Sequence, residues 1–276
     1  MSDDAERDRP AESRRRGLAL VVFFLIAFGV PWAFWIVLRQ RMSLDHMFDS
    51  VSTYWFTAAP SVAGFAAAFA EDGWQGLRRF CARAFNLRFA IWLWLAALLL
   101  PLLAALLTFA PHPFDLLHGG APKWAALIGI ASLMNFFTGP IAEEFGWRGY
   151  LLGWFCRRGW HPALAGLAIG PIWAAWHVPL FYDSVFAHIP SALGYLAWIT
   201  SWSVVLALIV TRARGSVLPS ILGHWTINAA PAIFFALLPA IPGERQPGGL
   251  AFSIASVIVA CALAWLWRDT RWQPRE

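Results

Sequence analysis

Glu143, Glu144 and Arg148 lie in the stretch Ile141-Ala142-Glu143-Glu144-Phe145-Gly146-Trp147-Arg148-Gly149-Tyr150-Leu151-Leu152, at the end of an apolar run long enough to cross a membrane. A charged side chain at mid-bilayer costs roughly 2.5–3.5 kcal/mol on insertion scales, so such groups turn toward a bundle interior or a wet cavity and need partners. Glu144 and Arg148 are four apart, share one helix face and can pair. Glu143 is rotated from Glu144 by about 100° and is left as the freer carboxylate. A buried carboxylate without a cation suits acid–base chemistry near neutral pH. The alternative for the trio is a structural ion network.

Three later residues extend the polar set. His177 ends Trp173-Ala174-Ala175-Trp176-His177 in an otherwise apolar run, with Trp173 one turn back on its face. His224 and Asn228 stand at i, i+4 in His224-Trp225-Thr226-Ile227-Asn228 and so share a face. A lone membrane histidine is often only a helix–helix hydrogen bond. Two histidines, an amide and an acidic pair on three runs point instead to one polar site. His177 is the awkward member, because it falls late in its run; a kink near Pro171 or a tilted helix would bring it level.

The elements that must position these residues are membrane helices. Of 276 residues, 59% are hydrophobic and 13% charged, against about a quarter charged in soluble domains. Apolar runs at 18–38, 53–70, 89–110, 123–142, 163–181, 191–210, 217–238 and 250–267 are each near the ~20 residues needed to cross the bilayer. The expected fold is an all-α, polytopic transmembrane helical bundle of about eight spans. Its expected organisation is a disordered tail over 1–17, a transmembrane domain over 18–267 with its motif-bearing core at about 134–229, and a tail over 268–276. Pro31 is expected to kink the first span.

Charge is topological. Net charge is +5, but Arg39, Arg41, Lys123 and Arg245 are the only cations on one side of the eight-span arrangement. The positive-inside rule then puts both termini in the cytoplasm, and nucleic acid is not needed as a partner. The segment 76–87 has the period of a basic amphipathic helix on that surface. Gly149xxxGly153 and Gly166xxxGly170 have the spacing of close helix contacts. Cys81, Cys156 and Cys261 are far apart and suggest neither disulfides nor a zinc-thiolate site.

The three motifs occur in an order that resembles one family. Glu143-Glu144-Phe-Gly-Trp-Arg148 resembles the EExxxR motif of the CPBP intramembrane proteases, which include CAAX prenyl endopeptidases and bacterial Abi-type proteins. Trp173xxxHis177 is similar to its FxxxH motif, with tryptophan for phenylalanine, and His224xxxAsn228 to its last motif. The resemblance covers about 134–229. It implies peptide-bond hydrolysis in the membrane, with Glu143 as the base that activates water, aided by His177, and with His224 and Asn228 stabilising the oxyanion. Arg148 would orient or neutralise Glu144, and Trp173 would support His177. Glu143, His177 and His224 also supply enough ligands for an open zinc site; water activation without an obligatory metal is the favoured reading.

The expected protein is an integral-membrane endopeptidase acting on membrane-embedded or membrane-anchored peptides, prenylated CAAX-type termini among them. Every cation but Lys123 is an arginine, which suggests a bacterial source and an inner-membrane location. The alternatives are a non-catalytic immunity or binding protein of the Abi type, and a small transporter using Glu and His as a proton relay. Oligomeric state is left open.

Overall fold

The computed structural model describes residues 3–41, 55–109, 133–237 and 250–273. Every regular element among them is helical. The first helix runs as α1 (Asp3–Phe24), a π-turn at Leu25–Gly29 and α2 (Val30–Arg41). Pro31 therefore stands just past a wider turn and inside a continuing helix. The backbone of α1 starts at Asp3, where the sequence reads as a disordered tail.

α3 (Ala59–Ala84) is broken at Asp72 and Gly73, where Gly73 has φ +56°. Beyond the break, Phe80 and Ala84 are buried while Arg78 and Arg79 are exposed, the amphipathic arrangement of a surface arm. Arg79 pairs with Asp72 across the break. α4 (Trp92–Phe109) follows.

The acidic motif occupies an irregular helix. A π-helical turn at Phe137–Ile141 leads into α5 (Ala142–Glu144), a second π segment at Phe145–Leu151, and α6 (Leu152–Cys156). Pro140 supplies no N–H to the ladder, which favours a locally widened turn; such turns cluster at functional sites. α3 holds this segment closely. A Cβ on Gly64 would lie 2.7 Å from the Phe145 carbonyl oxygen, and the Ser61 hydroxyl donates to the Ile141 carbonyl at 2.9 Å. On the arm of α3, Arg83 Nη2 donates to the Gly149 carbonyl at 3.0 Å. Burial pushes the Arg83 guanidinium down to about 10, with Arg157 adding to the shift and Glu71 opposing it.

α7 (Pro162–Trp176) and α8 (Val178–Phe181) are one bent unit that continues into a π-turn at Tyr182–Phe186. The bend is 51° and falls at His177, two residues before Pro179. The kink expected near Pro171 is not there, because α7 runs unbroken through that residue. Pro179 lacks the N–H that would bond the Ala175 carbonyl.

α7 packs on α9 (Ile189–Arg212) through the Gly166/Gly170 ridge. Added Cβ atoms would fall 2.7 Å from Val204 Cα at Gly166 and 2.5 Å from Thr200 Cα at Gly170, so only glycine permits this approach. Gly149 and Gly153 instead face side chains, notably Phe80 and Trp272. α10 (Leu218–Leu237) lies against α4 and α9, and α11 (Leu250–Leu266) against α9 and α4.

Two helices, Arg14–Val37 and Ile189–Arg212, are long and apolar enough to cross a membrane, and the bent pair makes a third if it counts as one span. The first is 22% buried over its central window and the second 72%, which puts α9 at the centre and α1–α2 at the edge. Leucines at 18, 25, 95, 99 and 103 point outward, as lipid-facing positions do. Trp92–Thr108 and Leu250–Leu266 are shorter apolar helices. The protein is an all-helical integral membrane bundle, and eight spans are not established by these helices. The start of the fourth expected run (123–132), Leu238 at the end of the seventh, Lys123, Arg245 and the end of the C-terminal tail (274–276) lie outside the described residues.

Candidate active site

Trp173 is the hub of the polar cluster. Its indole Nε1 donates to Glu143 Oε2 at 2.6 Å, and its backbone carbonyl lies 2.9 Å from His177 Nδ1. Its ring meets the His224 ring edge-on at 5.0 Å. The Arg148 guanidinium carbon sits 4.1 Å from the ring centre on the same indole, a cation–π distance. Four of the residues singled out by spacing are thus tied together by a fifth.

The acidic pair divides cleanly. Glu144 Oε1 accepts from Arg148 Nη1 at 2.7 Å, as the i, i+4 spacing requires, and from His224 Nδ1 at 2.9 Å. Both Glu144 and Arg148 are fully enclosed, with 0% exposure. Glu143 receives two indole N–H groups on one oxygen, the second from Trp147 Nε1 at 3.3 Å. Indoles orient a carboxylate without cancelling its charge, and Oε1 of Glu143 takes neither bond. Glu143 retains 4% exposure, so of the two carboxyls it is the one with any access.

Hydrogen-bond chemistry fixes the histidine tautomers. A carbonyl oxygen only accepts, so His177 carries its proton on Nδ1, and in the neutral ring Nε2 is left as the lone-pair nitrogen. Glu144, bonded to Arg148, likewise accepts from His224 Nδ1–H. His177 sits at the α7–α8 break, stacked on Phe181 at 5.3 Å and edge-on to Tyr195 at 5.8 Å. His177 follows directly on the end of α7, one turn past Trp173, whose carbonyl its Nδ1 meets. Trp176 Nε1 donates to the Ala27 carbonyl at 2.8 Å and Trp32 Nε1 to the Trp176 carbonyl at 3.1 Å, which pins this turn to α2 and the π-turn before it.

Asn228 shares a face of α10 with His224, and its Nδ2 donates to Asn135 Oδ1 at 2.9 Å. Asn135, Trp147 and Tyr195 escaped the sequence reading. Trp147 has a signal, since it stands four residues after Glu143. Asn135 has a weaker one as an amide in an apolar run, and Tyr195 has none.

Two expected neighbours are arranged otherwise. His224 is hydrogen-bonded to Glu144 rather than turned to Glu143. The three residues considered for zinc do not form a ligand set: no group of three or more His, Cys, Asp or Glu residues is placed to hold a metal among the described residues. Each has its own partner, Glu143 on two indoles, His177 on a carbonyl and His224 on Glu144.

A membrane bundle that buries a carboxylate pair, an arginine and two histidines from separate helices defines an enclosed acid–base site. Residues 124–230 match the family described as type II CAAX prenyl endopeptidase, Rce1-like. The matched stretch holds the three motifs that resemble those of the CPBP proteases. No curated protein matches the chain.

Proposed function

We propose that the protein is an intramembrane endopeptidase in which Glu143 activates the water that attacks a peptide bond. One observation carries this reading: among the described residues Glu144 is committed to Arg148 and His224, whereas Glu143 is held only by neutral N–H donors. Glu143 Oε1 takes the proton of the attacking water. His177, whose Nε2 lone pair remains available, aids that transfer and can return the proton to the leaving amine. His224, with Glu144 behind its Nδ1, donates from Nε2 to the tetrahedral oxyanion, and Asn228 supplies an amide donor beside it. Arg148 pairs with Glu144 and so fixes the carboxylate that orients His224.

The substrate is a peptide embedded in or anchored to the membrane, and a prenylated C-terminus belongs to that class. The basic face, with both termini, lies in the cytoplasm of a bacterial inner membrane. Incubating the purified protein in detergent with membrane-anchored peptides in ¹⁸O-water tests the reaction. Hydrolysis puts one heavy oxygen into the new carboxyl terminus, readable by mass spectrometry, and Glu143→Gln abolishes it. Peptide binding without any labelled product would leave a non-catalytic binding protein and end this reading.

A further inference from the structure

A second polar site lies where α9 ends and the chain leaves α11. A cavity of about 480 Å³ is lined there by Arg212, Arg214, Arg271, Asp269, Thr270 and Gln273. Three guanidinium groups face one carboxylate, which leaves a positive excess in a partly enclosed space, the condition for holding an anion. Arginine's planar fork of donors fits phosphate oxygens in particular.

The cations are held by the fold. Arg212 Nε donates to Thr270 Oγ1 at 3.0 Å, and its guanidinium carbon lies 4.5 Å from the centre of the Trp267 ring. Arg214 has φ +58°, the one non-glycine residue with positive φ among the described residues. Its N–H donates to the Thr211 carbonyl at 3.1 Å, and Gly215 N–H to the Val210 carbonyl at 2.9 Å. The end of α9 therefore turns sharply and keeps Arg214 beside Arg212 at one rim.

The surroundings separate a lipid from a free anion. Trp265 and Leu266 are 66% and 60% exposed next to the site, and Ile254 and Ile258 continue the outward apolar face along α11. Trp265 and Trp267 form an aromatic belt of the kind found at headgroup level. An inorganic phosphate would use only the arginines, whereas a phospholipid would use the arginines for its phosphate and this face for its chains. Basic pockets between helix ends on a cation-rich membrane face have this character.

We propose that the cavity is a binding site for the phosphate of an anionic phospholipid, of the phosphatidylglycerol type, with its acyl chains along the outer face of α11. The test is a titration of the purified protein in neutral detergent with short-chain phosphatidylglycerol, phosphatidylcholine or inorganic phosphate, reading the thermal unfolding midpoint. Phosphatidylglycerol raises the midpoint at concentrations where the other two do not. In Arg214→Gln/Arg271→Gln its apparent affinity falls roughly 30-fold, two cations' worth of attraction. Glutamine leaves the left-handed backbone cost at 214 unchanged while removing the charge. Should the double variant fail to fold, Arg271→Gln, at an exposed position, serves by itself with a loss of about five-fold. Equal midpoints with phosphatidylglycerol and phosphatidylcholine, an equal response to inorganic phosphate, or undiminished affinity in the variants would overturn the proposal.

Discussion

Trp173 joins the residues of the site in a way that no pairwise spacing contains. Its N–H reaches Glu143 thirty positions away, and its ring meets both the Arg148 guanidinium and the His224 imidazole. The indole N–H is the part with a consequence, because phenylalanine would fill nearly the same volume without it. A hydrogen bond to a charged group contributes roughly 1.5–3 kcal/mol. Trp173→Phe should therefore leave the bundle folded and substrate affinity little changed, while kcat falls about 10- to 100-fold as the carboxylate loses its orientation. Steady-state kinetics with a membrane-anchored peptide check this, and an unchanged kcat would remove Trp173 from the site's machinery. The pairing of Glu144 with Arg148 was legible in the sequence because i, i+4 contacts lie within one helix. The bond between His224 and Glu144 was not, since it depends on how α10 lies against the acidic motif, a lateral placement that helical period leaves undetermined.

Among the elements, glycine contacts and prolines decide where the motif residues meet. The Gly166/Gly170 ridge, legible as small-xxx-small spacing, carries a close helix pair, with α7 resting on the α9 backbone. Gly170→Val would drive a side chain into Thr200 and force α7 outward. Overpacking of this kind costs roughly 1–3 kcal/mol or more. The expected outcome is a lower unfolding midpoint in detergent together with loss of cleavage, since His177 and Trp173 ride on α7; a variant with wild-type stability and activity would show that the ridge does not position the site. The bend fell at Pro179 and not Pro171, although both are prolines in an apolar run. Pro171 is accommodated inside a helix whose neighbours pack around it, whereas Val178-Pro179 follows His177 at a point where the chain is already anchored through Trp176 to α2 and the π-turn before it. Those anchors come from tertiary contacts, so the choice between the two prolines was not readable beforehand. The π-turns flanking Glu143 and Glu144 were equally hidden, apart from the hint of Pro140.

For the whole molecule, composition and run length were enough to recognise a helical membrane bundle, because the bilayer leaves a chain this apolar few other ways to satisfy its backbone. They were not enough to count spans, since bent and short helices such as α7–α8 and α11 blur the relation between an apolar run and a crossing. Orientation rests on the charge asymmetry, which predicts that single cysteines placed near residues 12 and 272, on a background without the native cysteines, are labelled by a membrane-impermeant maleimide only after the inner membrane is opened. Labelling of either in intact spheroplasts would reverse the assignment. The arginine cavity between the ends of α9 and α11 shares no lining residue with the acidic site, so the two sites are separable by mutation.

The central claim is the division of the acidic pair, and parallel cleavage measurements on Glu143→Gln and Glu144→Gln test it most directly. Glutamine keeps the shape of each side chain and removes its charge. Glu143→Gln is predicted to keep the wild-type unfolding midpoint, because its partners are neutral, and to lower single-turnover cleavage by at least about 1,000-fold, on the scale of a lost general base and its oriented water. Glu144→Gln is predicted to lower the midpoint, because it leaves Arg148 buried without its counter-charge. Cleavage that survives Glu143→Gln at more than a tenth of the wild-type rate would contradict the account.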